Sequence, residues 1–332
     1  MKRNVVFFIL GLYSALVFAG EPKWITDVEK IFPSEAFIRA GGEGESEGAA
    51  KKAALAELSS YFGQIIKTEI SAVQNTHQSN DVYKEKSDFV QNLKTSSEVD
   101  LFCVHYTQSW FNKKTGKYYV CAYIERDEMW KILEQKMDVI SAEFNSVMQN
   151  SKSEKEPFKK LLILEKAKGI SEEYEQLYQM SLVVYPKKCG KYEAFLESSM
   201  ESLQELLVLK SQIVVSVQVY GDKQNKIRTK ICEVLTQKGI MISTENRTSA
   251  NFALVASVIW NDSQLNSVYS SKPQLELTIN GPQGVSFSFS GICEKVASYN
   301  LQTTENLAFL QLKKLLEEMG SLSLSKGHTR SH

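Results

Sequence analysis

The sequence predicts an α+β protein: an amino-terminal β-α-β-β module, a central helical block and a carboxy-terminal β-α-β-β-β-β-α module. Three observations carry that expectation. The apolar period shifts from two to 3.6 and back to two along the chain. A long block over residues 127–209 keeps apolar residues at helical spacing. Asn280-Gly281, approached by Leu275, Leu277 and Ile279 and left by Val285, Phe287 and Phe289, is a β-hairpin signal.

The chain opens with Lys2 and Arg3 ahead of an apolar run from Val5 that ends in Val17-Phe18-Ala19-Gly20. A charged start, a short apolar core and a small residue at the cut are the marks of a secretory signal peptide. The run is shorter than the ~20 residues a membrane-spanning helix needs, and Glu21, Lys23 and Asp27 follow it directly. Residues 1–19 are therefore expected to be removed, with an uncleaved anchor as the alternative. No cysteine stands at the expected cut, so a lipid-modified amino terminus is not expected.

About 313 of the 332 residues remain after the cut, enough for roughly two domains. Lys plus Arg and Asp plus Glu both number 39, so no global field is available to hold a polyanion, and nucleic acid is not an expected partner. A hydrophobic fraction of 43% suits ordinary packed cores. The five cysteines, Cys103, Cys121, Cys189, Cys232 and Cys293, are too scattered for a disulfide framework or a zinc site with closely paired ligands. Buried free thiols are the expectation, with a Cys232–Cys293 bond as the one pairing within reach.

In the first module, residues 20–126, a strand is expected at 36–40, a glycine-rich loop at Gly41-Gly42-Glu43-Gly44-Glu45, and a helix capped by Ser46 that runs through Ala49, Ala50, Ala53, Ala54, Leu55, Leu58 and Phe62 to a stop at Gly63. Ile65, Ile66 and Ile70 then begin another strand, residues 74–98 form a polar excursion, and strands at 99–110 and 117–125 flank a turn at residues 112–116. The helical spacer, residues 127–210, is expected as helices at 127–148, 157–168, 172–184 and 191–209, the third broken by Pro186. In the second module, residues 211–320, strands at 212–220, 240–243 and 253–260 precede the hairpin, with helices at 224–238 and 304–319. Residues 321–332 form a Ser-rich tail, expected to be mobile.

No motif of catalysis stands out. The Gly41 to Gly48 loop fits neither G-x-G-x-x-G nor the P-loop pattern, and Glu43, Glu45 and Glu47 would repel a phosphate, so no nucleotide is expected there. His77, His105, His328 and His332 lack metal-ligand or catalytic spacing, and His105 is expected to be structural. Glu125, Asp127 and Glu128 around Arg126 suit the acidic first turn of a helix. No catalytic residue, metal or cofactor is assigned. The better lead is aromatic: Tyr106, Trp110, Tyr119 and Tyr123 sit on the strands about the first turn, so one sheet face packs on the helix and the other is either covered by the middle helices or a partner-binding surface.

Two segments bear a family resemblance. Phe37-Ile38-Arg39-Ala40-Gly41-Gly42-Glu43-Gly44 with the alanine-rich helix after it, and Tyr118-Tyr119-Val120-Cys121-Ala122-Tyr123-Ile124-Glu125-Arg126, resemble the LPP-twenty family of bacterial outer-membrane lipoproteins. They are also similar to the amino-terminal domain of flagellar-assembly protein T. The resemblance spans about residues 34–147, and this chain departs from it in lacking the lipidated cysteine. It implies a bacterial envelope protein with an α+β module and no known catalysis. With the export signal, the modules and the lack of any motif, the expectation is a non-catalytic protein of the periplasm or the outer-membrane periphery that binds or scaffolds an envelope protein or cell-wall component. Peripheral attachment to the membrane is compatible with it. The competing class is an exported hydrolase whose two carboxylates come together only on folding. Amino-terminal sequencing of the secreted form should begin at Gly20 or within a few residues of it, and a product that still begins at Met1 would overturn the expectation of cleavage.

Overall fold

The computed structural model describes residues 21–76, 101–243 and 250–322. The expected signal peptide, most of the polar excursion and most of the Ser-rich tail lie outside the described residues. The fold is α+β, and the chain divides into two units. One holds residues 21–71 and 101–131, and the other runs from Ile132 onward.

The first unit contains two single-turn helices, α1 (Lys23–Thr26) and α2 (Val28–Ile31), strand β1 (Phe37–Gly44), helix α3 (Glu47–Thr76), the short strands β2 (His105–Tyr106) and β3 (Trp110–Asn112), strand β4 (Lys117–Glu125) and the first turn of helix α4 (Arg126–Ser153). Its antiparallel sheet has the order β1-β4-β2, with β3 also on β4. Ile38, Val120, Ala122 and Ile124 are buried on the face that meets α3, and α3 answers with Ala50, Ala54, Leu58 and Phe62, a stripe at four-residue spacing with essentially no exposure.

The glycine-rich segment is not a loop. β1 continues through it to Gly44, opposite Tyr118, because the glycines let α3 lie almost directly on the strand backbone. A Cβ on Gly42 would stand 2.2 Å from the Ala54 amide nitrogen, and one on Gly44 would stand 2.6 Å from that of Ala50. Ser46 caps α3 as expected, its Oγ accepting from the Ala49 N–H at 3.2 Å.

Gly63 does not stop that helix, and the strand expected at Ile65 is absent, since α3 runs on to Thr76. Leu58, Phe62 and Ile66 keep a helical period, and a mid-helix glycine costs only about 1 kcal/mol against alanine, which burial of such a face outweighs. The single strand expected over 99–110 is two pieces. Between them Thr107 donates its N–H to the Cys121 carbonyl but meets the Cys121 N–H with its side-chain Oγ1, both at 3.0 Å, so the backbone ladder is interrupted. The turn at residues 112–116 stands where expected, with Asn112 opposite Lys117 and Gly116 at φ 70°.

In the second unit α4 is followed by α5 (Pro157–Val184), a 3-10 segment (Pro186–Tyr192) and α6 (Glu193–Gln212). The two helices expected at 157–168 and 172–184 are thus one, with Gly169 exposed within it. Phe195 packs on Phe144 at 4.7 Å and stacks on Tyr174 at 3.7 Å, while Lys210 and Glu165 form an ion pair at 2.7 Å with both side chains 11% exposed.

The main sheet of this unit has the order β11-β10-β7-β5-β6. Its strands are β5 (Val214–Tyr220), β6 (Met241–Ile242), β7 (Phe252–Ile259), β10 (Gln274–Gly281) and β11 (Gly284–Ile292). One face, carrying Val215, Leu254, Leu277 and Ile279, packs on helices α7 (Lys226–Gln237) and α8 (Leu301–Leu322), and the same core takes in Phe158, Leu161 and Leu164 of α5 and Leu206 of α6. The helical block expected as a spacer therefore contributes, in α5 and α6, to the core of the carboxy-terminal sheet. Glu156 ties them further: it caps α5 by accepting from Phe158 N–H and Lys159 N–H, and it accepts the Ser286 hydroxyl of β11 at 2.9 Å.

A second sheet of β8 (Asp262–Leu265), β9 (Val268–Ser271) and β12 (Val296–Ser298) was not expected. All four residues of β8 are exposed, so the segment has no apolar alternation to give it away. The hairpin of β10 and β11 is present, but Gly281 pairs with Gly284 and the turn falls on Pro282 and Gln283. Gly281 serves packing instead, since a Cβ there would lie 2.5 Å from the Phe252 ring.

The contact of Gly42 with α3 leaves no room for a methyl group, so Gly42→Ala should lower stability by about 2 kcal/mol or more. Gly63→Ala, whose Cβ meets nothing within 4 Å, should raise it by ~0.5–1 kcal/mol. Chemical denaturation of the two variants checks this, and equal midpoints would overturn the packing described here.

Candidate functional site

Strand alternation divides the residues of the first sheet between two faces. Even-numbered residues of β1 and β4 turn toward α3, so the odd-numbered ones, Phe37, Arg39, Gly41 and Glu43 on β1 and Tyr119, Cys121 and Tyr123 on β4, occupy the outer face. Trp110 is opposite Tyr119 and His105 opposite Tyr123, which puts them on that face too. Tyr106 is opposite Ala122 and so belongs to the helix-facing side. Of the four aromatic residues singled out in the sequence, Trp110, Tyr119 and Tyr123 share this face and Tyr106 does not.

Two aromatic groups mark the ends of the outer face. At one end Tyr123 packs against Phe32 at 4.5 Å, Phe37 at 5.9 Å and His105 at 5.5 Å. At the other, Trp110 and Tyr119 lie 5.8 Å apart. Between them is a cavity of about 410 Å3, floored by Gly41, Tyr119 and Cys121 and walled by Trp24, Ile25 and Val28 of α1 and α2. Trp24 was not picked out from the sequence, because a lone aromatic after a signal peptide has no periodic context.

The cavity exists because Gly41 and Cys121, a small cross-strand pair, face each other at its floor. A Cβ built on Gly41 meets nothing within 4 Å, whereas Gly42 next to it is enclosed. Burial pushes the Cys121 thiol up from its ordinary range, so it sits there as a neutral, unreactive group.

Each end of the cavity also carries an ion pair. Arg39 donates to Glu29 and to the Phe32 carbonyl. The Ser34 N–H, then Arg39 and the Ser34 hydroxyl, bring the Glu29 carboxyl down to about 2. At the other end Lys117 donates to Glu43 at 2.6 Å, and that bond, with one from Tyr119, holds Glu43 below the usual carboxylate range. Both charged lining residues are therefore already neutralised.

His105 donates or accepts at Glu128, 2.8 Å away, and rests against the Tyr123 ring. Cys103 lies near the same carboxylate, and its thiol is pushed up, by burial first and by the Glu128 charge second. An activated nucleophile needs the opposite shift. Arg126 reaches the Ser34 carbonyl at 2.9 Å, and Asp127 and Glu128 occupy the acidic first turn of α4. All five cysteines are free thiols. Among the described residues there is no group of three His, Cys, Asp or Glu suited to a metal ion, and no helix is long and apolar enough to cross a membrane.

No protein-family model and no curated protein matches the sequence. Solved structures do resemble the chain. The secreted protein HP1454 of Helicobacter pylori aligns over 87% of this chain and 98% of its own, at 17% identity and TM-score 0.39. A minor lipoprotein of Acinetobacter baumannii aligns over 33% of this chain and 90% of its own, at 16% identity and TM-score 0.26. The lipoprotein GNA1162 of Neisseria meningitidis covers 33% and 99%, at 9% identity and TM-score 0.24. Secreted proteins and lipoproteins are thus among the structures this chain is similar to, and at these scores none of them assigns it a function.

The Glu29 tether generates a pH prediction. Its carboxyl is depressed on folding, so its stabilising contribution is complete above the ordinary carboxylate range near 4.5 and is lost as pH falls toward about 2. The Tm difference between wild type and Glu29→Gln should accordingly be constant from pH 7 to 5 and shrink between pH 4 and 2. A difference that does not change with pH would overturn the assignment.

Proposed function

We propose that this chain is an exported, non-catalytic protein of the bacterial cell envelope that binds a protein or cell-wall component through the outer face of its amino-terminal sheet. The observation that carries the reading is one sheet face that holds Trp110, Tyr119 and Tyr123, with Trp24 and Tyr119 lining its cavity, while the opposite side is committed to α3. Aromatic side chains that remain partly exposed supply large contact area at low entropic cost, which is why they anchor recognition surfaces. The signal-like amino terminus and the resemblance to the LPP-twenty family support export to the envelope.

Among the described residues no specific observation favours the competing hydrolase reading. A general-acid carboxyl must be held above its ordinary range. Glu29, Glu43, Glu47, Glu134 and Glu317 are all shifted the other way, each by hydrogen bonds led by a backbone amide or a lysine.

The test compares the mature protein with a Trp110→Ala/Tyr119→Ala double variant in crosslinking and capture from envelope fractions. Components retained by the wild type should be lost or reduced by about tenfold with the variant, a change of ~1.4 kcal/mol, while its circular dichroism spectrum stays native. Identical capture by both proteins would overturn the binding-face reading.

A further inference from the structure

We propose that the cavity above Gly41 is a binding site for a neutral saccharide. The proposal rests on the reading of the outer face as a binding surface and names the ligand class for it. The size is right for a small ligand, since 410 Å3 falls within the ~300–1,000 Å3 typical of ligand clefts.

The electrostatics select a neutral molecule. Arg39 and Glu43 stand at the two ends, four residues apart on β1, or ~13 Å along the strand. Arg39 is held by Glu29 and the Phe32 carbonyl, and Glu43 by Lys117 and Tyr119. An anionic ligand would meet the Glu29 carboxylate beside the guanidinium, and a cationic one would meet the Lys117 ammonium beside the Glu43 carboxylate. Each charged ligand is therefore attracted and repelled at once, and neither sign of charge is favoured at the ends. A neutral ligand leaves both pairs intact and uses their remaining donors and acceptors as hydrogen-bond partners.

The lining selects a molecule with an apolar face and a polar rim. One wall is the indole of Trp24 with Ile25 and Val28, and the floor ends on the Tyr119 ring. The ion pairs sit only at the ends. A pyranose ring matches this division: its axial C–H groups make a flat apolar face that lies on an aromatic ring, and its hydroxyl groups project around the edge. A purely apolar ligand would leave the Arg39 and Glu43 groups at the ends facing a surface that cannot bond to them, which is costly where water is displaced.

Gly41 provides the test. Its Cβ direction opens into the cavity with no atom within 4 Å, and its backbone carries no positive φ that only glycine would tolerate. Gly41→Leu therefore plugs the site without disturbing the sheet, in contrast to Gly42→Ala.

Isothermal titration of the mature full-length chain with chitotriose and with maltotriose should give saturable binding to at least one of them, with a Kd of roughly 1 mM or tighter. Gly41→Leu and Trp24→Ala should each weaken it by at least about tenfold, with the Tm of Gly41→Leu unchanged or raised. Sialyllactose and a heparin disaccharide, which are anionic, should bind more weakly than the neutral sugars. Absence of saturable binding by the wild type, binding that survives Gly41→Leu, or preference for the anionic sugars would each overturn the proposal. If neither neutral sugar binds while the Trp110→Ala/Tyr119→Ala variant still loses its captured partner, the saccharide assignment fails and the binding face stands; if both fail, the face itself is misread.

Discussion

Backbone-to-backbone contact between β1 and α3 is the constraint on which the amino-terminal unit depends. Gly42 and Gly44 remove the two side chains that would hold the helix away, and Ala50 and Ala54 do the same from the helix side. With α3 seated that closely, the even-numbered positions of β1 and β4 are committed to the core, and a one-residue slip of register would send Val120 and Ile124 to solvent. The outer face is what this commitment leaves over. Its composition, with Arg39, Glu43, Tyr119 and Tyr123 about a bare Gly41, follows from the same alternation that buries Ile38 and Ala122.

The second unit is organised around a different economy. Its main sheet packs a face on α7 and α8, and Phe158, Leu161 and Leu164 of α5 and Leu206 of α6 belong to the same core. Glu156 illustrates how tightly the pieces are joined: one buried carboxylate caps a helix and accepts the Ser286 hydroxyl from a strand 130 residues later. The opposite face of this mixed sheet carries Ser216, Gln218, Ser257, Thr278 and Ser288 beside Ala253 and Val255, so polar residues predominate where the alternation turns away from the core.

Charge in this protein is arranged in local pairs. The whole-chain balance of 39 against 39 is repeated at small scale, in Arg39 with Glu29, Lys117 with Glu43, Lys210 with Glu165 and Lys223 with Asp262 and Glu305. Such pairs add little stability at the surface, where solvent screens them. Their consequence for recognition is larger, because a face whose charges are satisfied internally favours ligands that do not need a counter-ion.

The sequence by itself determined the fold class, the amphipathic helix that begins beside Arg126, the Ser46 cap, the turn at residues 112–116 and the pairing of β10 with β11, though not the exact turn between them, because each is written in local periodicity or turn chemistry that acts over a few residues. It also marked Trp110, Tyr119 and Tyr123 as a possible surface, though it could not separate them from Tyr106, since a face is defined only once Ala122 and Tyr119 have partners across the ladder. Tertiary structure decided the rest. Gly41 to Gly44 read as a loop because glycine is rare in strands, and only the approach of α3 explains why a strand needs them. Gly63 read as a helix end, and residues 169–171 as a break between two helices, but glycine is only a weak local cost, and burial along α3 and α5 outweighs it. The cavity itself belongs to no single segment: it takes Trp24, Gly41 and Cys121, brought together by folding from about a hundred residues of chain, and no local pattern encodes a space.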